Sequence, residues 1–188
     1  MSNYVTPVGK ASYTYLLKPK LNAKSGKMQY STDILFDKKI DLSKLKAAIE
    51  ETIKEKWGAK RPKVLHSPIK DGDGVKPKTG EPYGDEYHGC FFITTKNTRK
   101  PGVVDAQTQP ILDESEIYGG CYIRASLKPF AYDVDGSKGI TLYLINVQKV
   151  KDGEPFGGDA KVSPENEFDV IDDEQDNPAN YQQSNLLG

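Results

Sequence analysis

"YGGCYIRASLKPFAYD", residues 118 to 133, reads as one β-strand opened by a glycine pair. Alternate residues of a strand share a face, so Cys121, Ile123, Ala125 and Leu127 form an apolar face while Tyr122, Arg124, Ser126 and Lys128 form the other. Past Pro129, which marks a bulge or an edge position, Phe130 and Tyr132 continue the second face if the register holds. The first face is core. The second lines up rings and cations where no core is expected.

Exposed rings between cations match the needs of a single-stranded nucleic acid. Each base offers a π-face worth about 1–3 kcal/mol on an aromatic ring, and each phosphate pairs with Lys or Arg. A half-exposed face where Tyr and Arg cover one another has the same composition, so this strand alone leaves both readings open. The preceding strand, "YHGCFFITTK", favours the first, because Phe92, Thr94 and Lys96 share a face and the following turn carries Arg99 and Lys100. A third strand, "GITLYLINVQKV", follows the quoted one.

Upstream, "GKASYTYLLKP" and "MQYSTDILF" are β-rich runs joined by the turn-forming "KLNAKSGK", a candidate hairpin. In its first strand Tyr13 and Tyr15 share a face with Ala11 and Leu17 and are assigned to the core, opposite Lys10, Ser12, Thr14 and Lys18. The segment "DLSKLKAAIEETIKEKW" then reads as a helix. Asp41 is placed as N-cap, Leu42, Leu45, Ile49, Ile53 and Trp57 lie on one face, and Gly58 is the stop. Residues 59–86 have no sustained period, and a loop of that length is uncommon unless it serves a function. Five strands and one helix in a body of about 150 residues point to a small barrel or a strongly curved antiparallel sheet.

The charge is segregated. Residues 1–151 hold 25 of the 26 Lys and Arg against 17 acidic residues, a balance of +8, whereas residues 152–188 hold Lys161 against 10 acids, a balance of −9. A basic body followed by an acidic tail speaks of partners, although the whole chain carries only −1. From about Pro164 the low hydrophobicity and clustered acids cannot offset ordering entropy, so the tail is expected to be disordered. No stretch is apolar enough to span a bilayer and the first residues do not resemble a signal peptide, which predicts a soluble intracellular protein with no membrane partner. Cys90 and Cys121 lie far apart in strand-like runs and read as small buried residues.

Catalytic patterns are weak. His66 and His88 have no partner at ligand spacing, and "DGDG" at 71–74 begins like a calcium loop whose twelfth position would be Pro82. "GEPFGG" lacks the Lys-Ser/Thr of a phosphate loop. Asp33, Asp105, Asp113, Glu114 and Glu116 could serve a metal-dependent nuclease or recombination enzyme only if the fold made them converge. No catalytic residue, cofactor or metal is assigned, and a virion or scaffold interaction protein working through its acidic tail is the other rival.

"KPGVVD", "YGGCYIRAS" and "NVQKVKDGEPFGG", within a similarity spanning residues 12–158, resemble a family of phage single-stranded-DNA-binding proteins, similar in turn to that of T7-like phages. The resemblance implies a mainly β, OB-fold-like five-stranded antiparallel barrel with one α-helix over residues 1–158, and a disordered acidic tail over 159–188. It implies a non-enzymatic protein that coats single strands during phage DNA replication and recombination in the cytoplasm of the infected bacterial host. Duplex DNA and RNA would be weaker ligands. By the same resemblance Phe92, Lys96, Arg99, Lys100, Tyr122, Arg124 and Lys128 fall in the region expected to carry the DNA groove, to which the strand alternation adds Phe130 and Tyr132. The tail residues Glu165, Glu167, Phe168, Asp169, Asp172, Asp173, Glu174 and Asp176 would modulate binding and recruit phage or host replication proteins. One departure is the helix, which follows the second strand where the usual plan has it after the third. Either the first strand is split or the helix occupies another end of the barrel.

Overall fold

Asn22 makes the first hairpin: its Oδ1 accepts from the Lys24 and Ser25 N–H groups at 3.0 and 3.2 Å, and Gly26, at φ +68°, donates to the Asn22 carbonyl at 2.8 Å. The computed structural model describes residues 3–156. In chain order the elements are β1 (Tyr4–Val5), β2 (Gly9–Asn22), β3 (Lys27–Asp37), α1 (Ser43–Trp57), β4 (Ile69–Asp71), β5 (Cys90–Asn97), β6 (Gly102–Val104), β7 (Tyr122–Val134) and β8 (Ser137–Lys151). The β7–β8 hairpin turns on Asp135 and Gly136, both at positive φ (49° and 78°), a two-residue turn whose twist matches that of the flanking strands.

Five strands close into a ring in the order β7, β2, β3, β5, β8 and back to β7. Four seams are antiparallel as expected, and the fifth, between β5 and β8, is parallel. That seam is short, pairing Thr95 with Leu142 and Lys96 with Tyr143. The chain entering β4 covers the remaining gap, with His66 bridged to Gly139 and Ile69 paired with Ile93. The mainly β, OB-fold-like plan expected from the sequence is present.

Inward-facing Ala11, Ile34, Phe36, Ile93, Ile123, Leu127, Leu142 and Leu144 fill the ring, and Leu42 just before α1 joins the same core with Leu45, Ile49 and Ile53 of α1, which packs against β7 and β8. The helix starts at Ser43, slightly later than predicted, because Asp41 caps from outside: its Oδ1 accepts the Ser43 N–H at 2.8 Å while Leu42 is buried. Gly58, at φ +52°, ends the helix by donating to the Lys54 carbonyl. β1 and β2 pair in turn with β7, Tyr4 with Leu127 and Gly9 with Ile123, so the strand along this edge of β7 is split in two, and α1 follows β3, between the second and third strands of the ring in chain order.

β2 also carries a bulge. Ser12 pairs with Asp33 and Tyr15 with Ser31, leaving one extra residue on β2, with Tyr13 at φ +48°. This overturns the assignment of Tyr13 to the core, since the bulge turns it outward to 61% exposure. Tyr15 is half-buried beneath Lys20, whose ammonium lies 4.8 Å from its ring centroid. Both cysteines are free thiols; burial raises the pKa of each. Among the described residues no helix is long and apolar enough to cross a membrane.

Candidate nucleic-acid interface

The alternation of β7 survives Pro129. Ile123, Ala125, Leu127, Pro129 and Ala131 are buried, whereas Arg124, Lys128 and Phe130 are exposed and Tyr122, Ser126 and Tyr132 half-buried. The irregularities fall on β8, where Ile145 and Val150 are each an extra residue opposite β7. Each bulge switches which β8 side chains face outward. Gln148 and Lys151 consequently stand opposite Arg124 and Tyr122, while Lys149 stands opposite the buried Ile123 and forms an ion pair with Asp152 at 2.6 Å.

One cluster forms where three strands meet. Lys128 faces Tyr143 across the β7–β8 seam, and Lys96 faces the same Tyr143 across the β5–β8 seam. The Phe130 and Tyr143 rings, 48% and 36% exposed, are tilted against each other at 5.5 Å. Arg99 and Lys100 are exposed in the turn after β5, where Asn97 accepts the Arg99 N–H at 3.1 Å. Among the described residues, none of Lys96, Arg99, Lys100, Arg124 or Lys128 has a carboxylate within 4.0 Å. Their charge is uncompensated there. Tyr132 is less accessible: it packs over Gly139, where an added Cβ would come 2.6 Å from its hydroxyl.

Further along β7, Arg124 Nε–H donates to Gln148 Oε1 at 2.7 Å, and Gln148 Nε2 donates to the Asp105 and Ala106 carbonyls at 3.1 and 3.3 Å. A neutral amide thus orients the guanidinium without cancelling its charge. Tyr122 lies beneath two ammonium groups, Lys151 at 4.6 Å and Lys10 at 5.6 Å from its ring centroid.

Phe92 is corrected. It points outward from the ring as the alternation required, yet it is only 2% exposed. Tyr83 and Tyr87, from the long loop before β5, pack edge-on against it at 4.9 and 4.8 Å, and together with Leu35 they form a second small apolar cluster outside the ring. The loop is held at its root by Lys38, paired with Asp71 at 2.9 Å and Asp73 at 2.7 Å. It is held near its far end, just before β5, by the Tyr87 hydroxyl, which donates to Asp33 Oδ2 at 2.6 Å and lies 3.2 Å from Ser12 Oγ. Burial pushes the Asp33 carboxyl above its ordinary pKa, opposed by hydrogen bonds from Tyr87 and Thr94 and by the charge of Lys70. Burial and the adjacent Asp33 raise the Tyr87 phenol in turn. The other acids considered for a nuclease do not converge: among the described residues no three His, Cys, Asp or Glu side chains form a metal-holding group.

Sequence reasoning passed over Tyr143, Lys10, Lys151 and Gln148. Tyr143 could have been found by applying to "GITLYLINV" the alternation used for β7, since Leu142 and Leu144 flank it. Nothing in the sequence marks Gln148. The tail residues Glu165, Glu167, Phe168, Asp169, Asp172, Asp173, Glu174 and Asp176 lie outside the described residues.

Residues 3–178 match the family model described as the single-stranded-DNA-binding protein of Enterobacter phage Enc34. The solved structure of the bacteriophage Enc34 single-stranded DNA-binding protein in complex with single-stranded DNA is similar with a TM-score of 0.67 and 28% identity, over 81% of this chain and 88% of that one. Protein p50 of the Acyrthosiphon pisum secondary endosymbiont phage 1 is 30% identical over 174 residues, covering 86% of this chain and 90% of that protein. The crystal structure of gp2.5, the single-stranded DNA-binding protein of bacteriophage T7, shares the fold at a TM-score of 0.61 and 15% identity, over 86% of this chain and 96% of that one. With a family model matched along nearly its whole length and a common fold beneath it, this chain belongs to the Enc34 family of phage single-stranded-DNA-binding proteins.

Proposed function

We propose that this protein binds single-stranded DNA, without catalysis, across the outer face of β7 and its neighbours β8 and β5. The observation that carries the reading is the row Lys96, Tyr143, Lys128 with Phe130 beside it: exposed rings among cations that have no carboxylate partner among the described residues. Bases stack on Phe130 and Tyr143, while Lys96, Lys128, Arg124, Arg99 and Lys100 neutralise phosphates, so recognition is largely indifferent to sequence. Phe92 contributes by supporting the loop that covers it. Duplex DNA and RNA are weaker ligands; in a duplex the paired bases do not offer their faces to the rings.

The body, residues 1–158, acts in coating single strands during phage DNA replication and recombination in the host cytoplasm. The tail, residues 159–188, lowers non-selective binding by its negative charge and recruits replication proteins. The supporting feature is the division of the sequence into a +8 body and a −9 end. The test is a titration against single-stranded and duplex oligonucleotides at two salt concentrations. Salt-dependent binding that prefers oligo-dT is expected, and failure to bind oligo-dT at low salt would remove the proposal.

A further inference from the structure

We infer that Tyr122 does not stack on a base but organises a phosphate-binding site whose cationic ligands are Lys10 and Lys151. The inference rests on the single-stranded-DNA reading and assigns a different chemistry to one end of the same face. Lys10 comes from β2 and Lys151 from β8, the two strands that flank β7 at this point. Their ammonium groups lie 5.6 and 4.6 Å from one ring centroid, so they are no more than about 10 Å apart. An ammonium over a ring occupies the place that a base would take, and the ring quadrupole holds it there without neutralising it. Lys10 is also 5.9 Å from the Phe156 ring, and among the described residues neither lysine has a carboxylate within 4.0 Å. The charge is held in position and left for an anion.

The backbone around the pair is locked. Gly120 sits at φ +109° with the Glu154 carbonyl where a Cβ would be, and Phe156 N–H donates to the Gly119 carbonyl at 2.9 Å. Tyr118 OH donates to Asp152 Oδ1 at 2.9 Å, and Lys149 is occupied by the same carboxylate. Lys149 is thereby excluded from the site, while Lys151, two residues on, is presented. From Tyr122 to Phe130 along β7 is about 26 Å at roughly 3.3 Å per residue, so the phosphate site and the stacking cluster engage different nucleotides of one strand.

Binding of the full chain to oligo-dT and to an abasic phosphodiester oligonucleotide of the same length separates the two chemistries. Lys10→Gln and Lys151→Gln are each expected to lower the magnitude of the salt slope by about 0.7 and to weaken both oligonucleotides by the same factor. Tyr122→Leu, which frees both ammonium groups without removing their charge, should weaken both oligonucleotides by the same factor, less than the double lysine variant does and with the slope near its wild-type value, while Tyr122→Phe, which keeps the ring, should bind like the wild type. Unchanged affinity and slope in both lysine variants would overturn the inference, as would a Tyr122→Leu loss confined to oligo-dT. If the wild type itself ignores oligo-dT, the single-stranded-DNA reading fails, and the inference with it.

Discussion

The Tyr87 hydroxyl reaches across the outer face of the ring to donate to Asp33 Oδ2 at 2.6 Å, fastening the long loop before β5 over Leu35 and Phe92. Burial raises the Asp33 carboxyl, so its ionised form weakens the fold. A carboxyl whose pKa is raised on folding lowers stability as pH climbs from the ordinary value, about 4, through the raised one. Asp33→Asn keeps an acceptor for Tyr87 and removes the charge. Its thermal midpoint should therefore exceed that of the wild type at pH 7 by a few degrees, the scale of about 1 kcal/mol in a domain of this size. The gap should close below about pH 4. An Asn variant that melts below the wild type at pH 7 would refute this.

Arg124 and Lys128 test the electrostatic half of the face. Arg124→Ala and Lys128→Ala should each weaken oligo-dT binding and reduce the magnitude of the salt slope by about 0.7 for each lost phosphate contact. Gln148→Ala, which frees the Arg124 guanidinium without removing its charge, should weaken binding less and leave the slope near its wild-type value. Titrations at four or five salt concentrations measure both quantities. Unaltered slopes in both charge variants would take this strand out of the site.

Phe130 and Tyr143 test stacking. Phe130→Ala or Tyr143→Ala should cost about 1–3 kcal/mol of binding with the salt slope nearly unchanged. Phe92→Ala should behave differently, because its ring is enclosed: the loss falls on stability, about 3–5 kcal/mol by thermal or denaturant unfolding. Equal folded stability of Phe92→Ala and wild type would show that the ring is not held as described.

Removal of residues 164–188 deletes Glu165, Glu167, Asp169, Asp172, Asp173, Glu174 and Asp176. The truncated chain should bind DNA more tightly and less selectively at low salt and lose association with replication proteins. The affinity difference should shrink as salt screens the charge over a Debye length of about 10 Å at 0.1 M. Equal affinities of the two forms at every salt concentration would reduce the tail to an inert solubilising segment.

Local chemistry determined much of this protein. The two faces of β7 follow from the two-residue period of a strand, and the core face of α1 follows from the helical spacing of Leu45, Ile49 and Ile53. The stop at Gly58 follows from a positive φ that glycine tolerates. The separation into a basic body and an acidic end is composition alone. Each of these depends on neighbours in the chain, so the sequence suffices.

Other features depend on what returns from far away. Phe92 has the alternation of an exposed ring, and it is buried because residues at 83 and 87 fold back over it and Tyr87 finds Asp33, 54 positions upstream. Tyr13 has the alternation of a core residue, and a bulge against β3 turns it out. Two further bulges on β8 decide that Lys151 faces the site while Lys149 is spent on Asp152. A bulge shifts the register by one residue and so reverses every side chain beyond it, at an energy that only the partner strand sets. Composition and period therefore determined which residues this protein could use, and cross-strand register decided which of them it presents together.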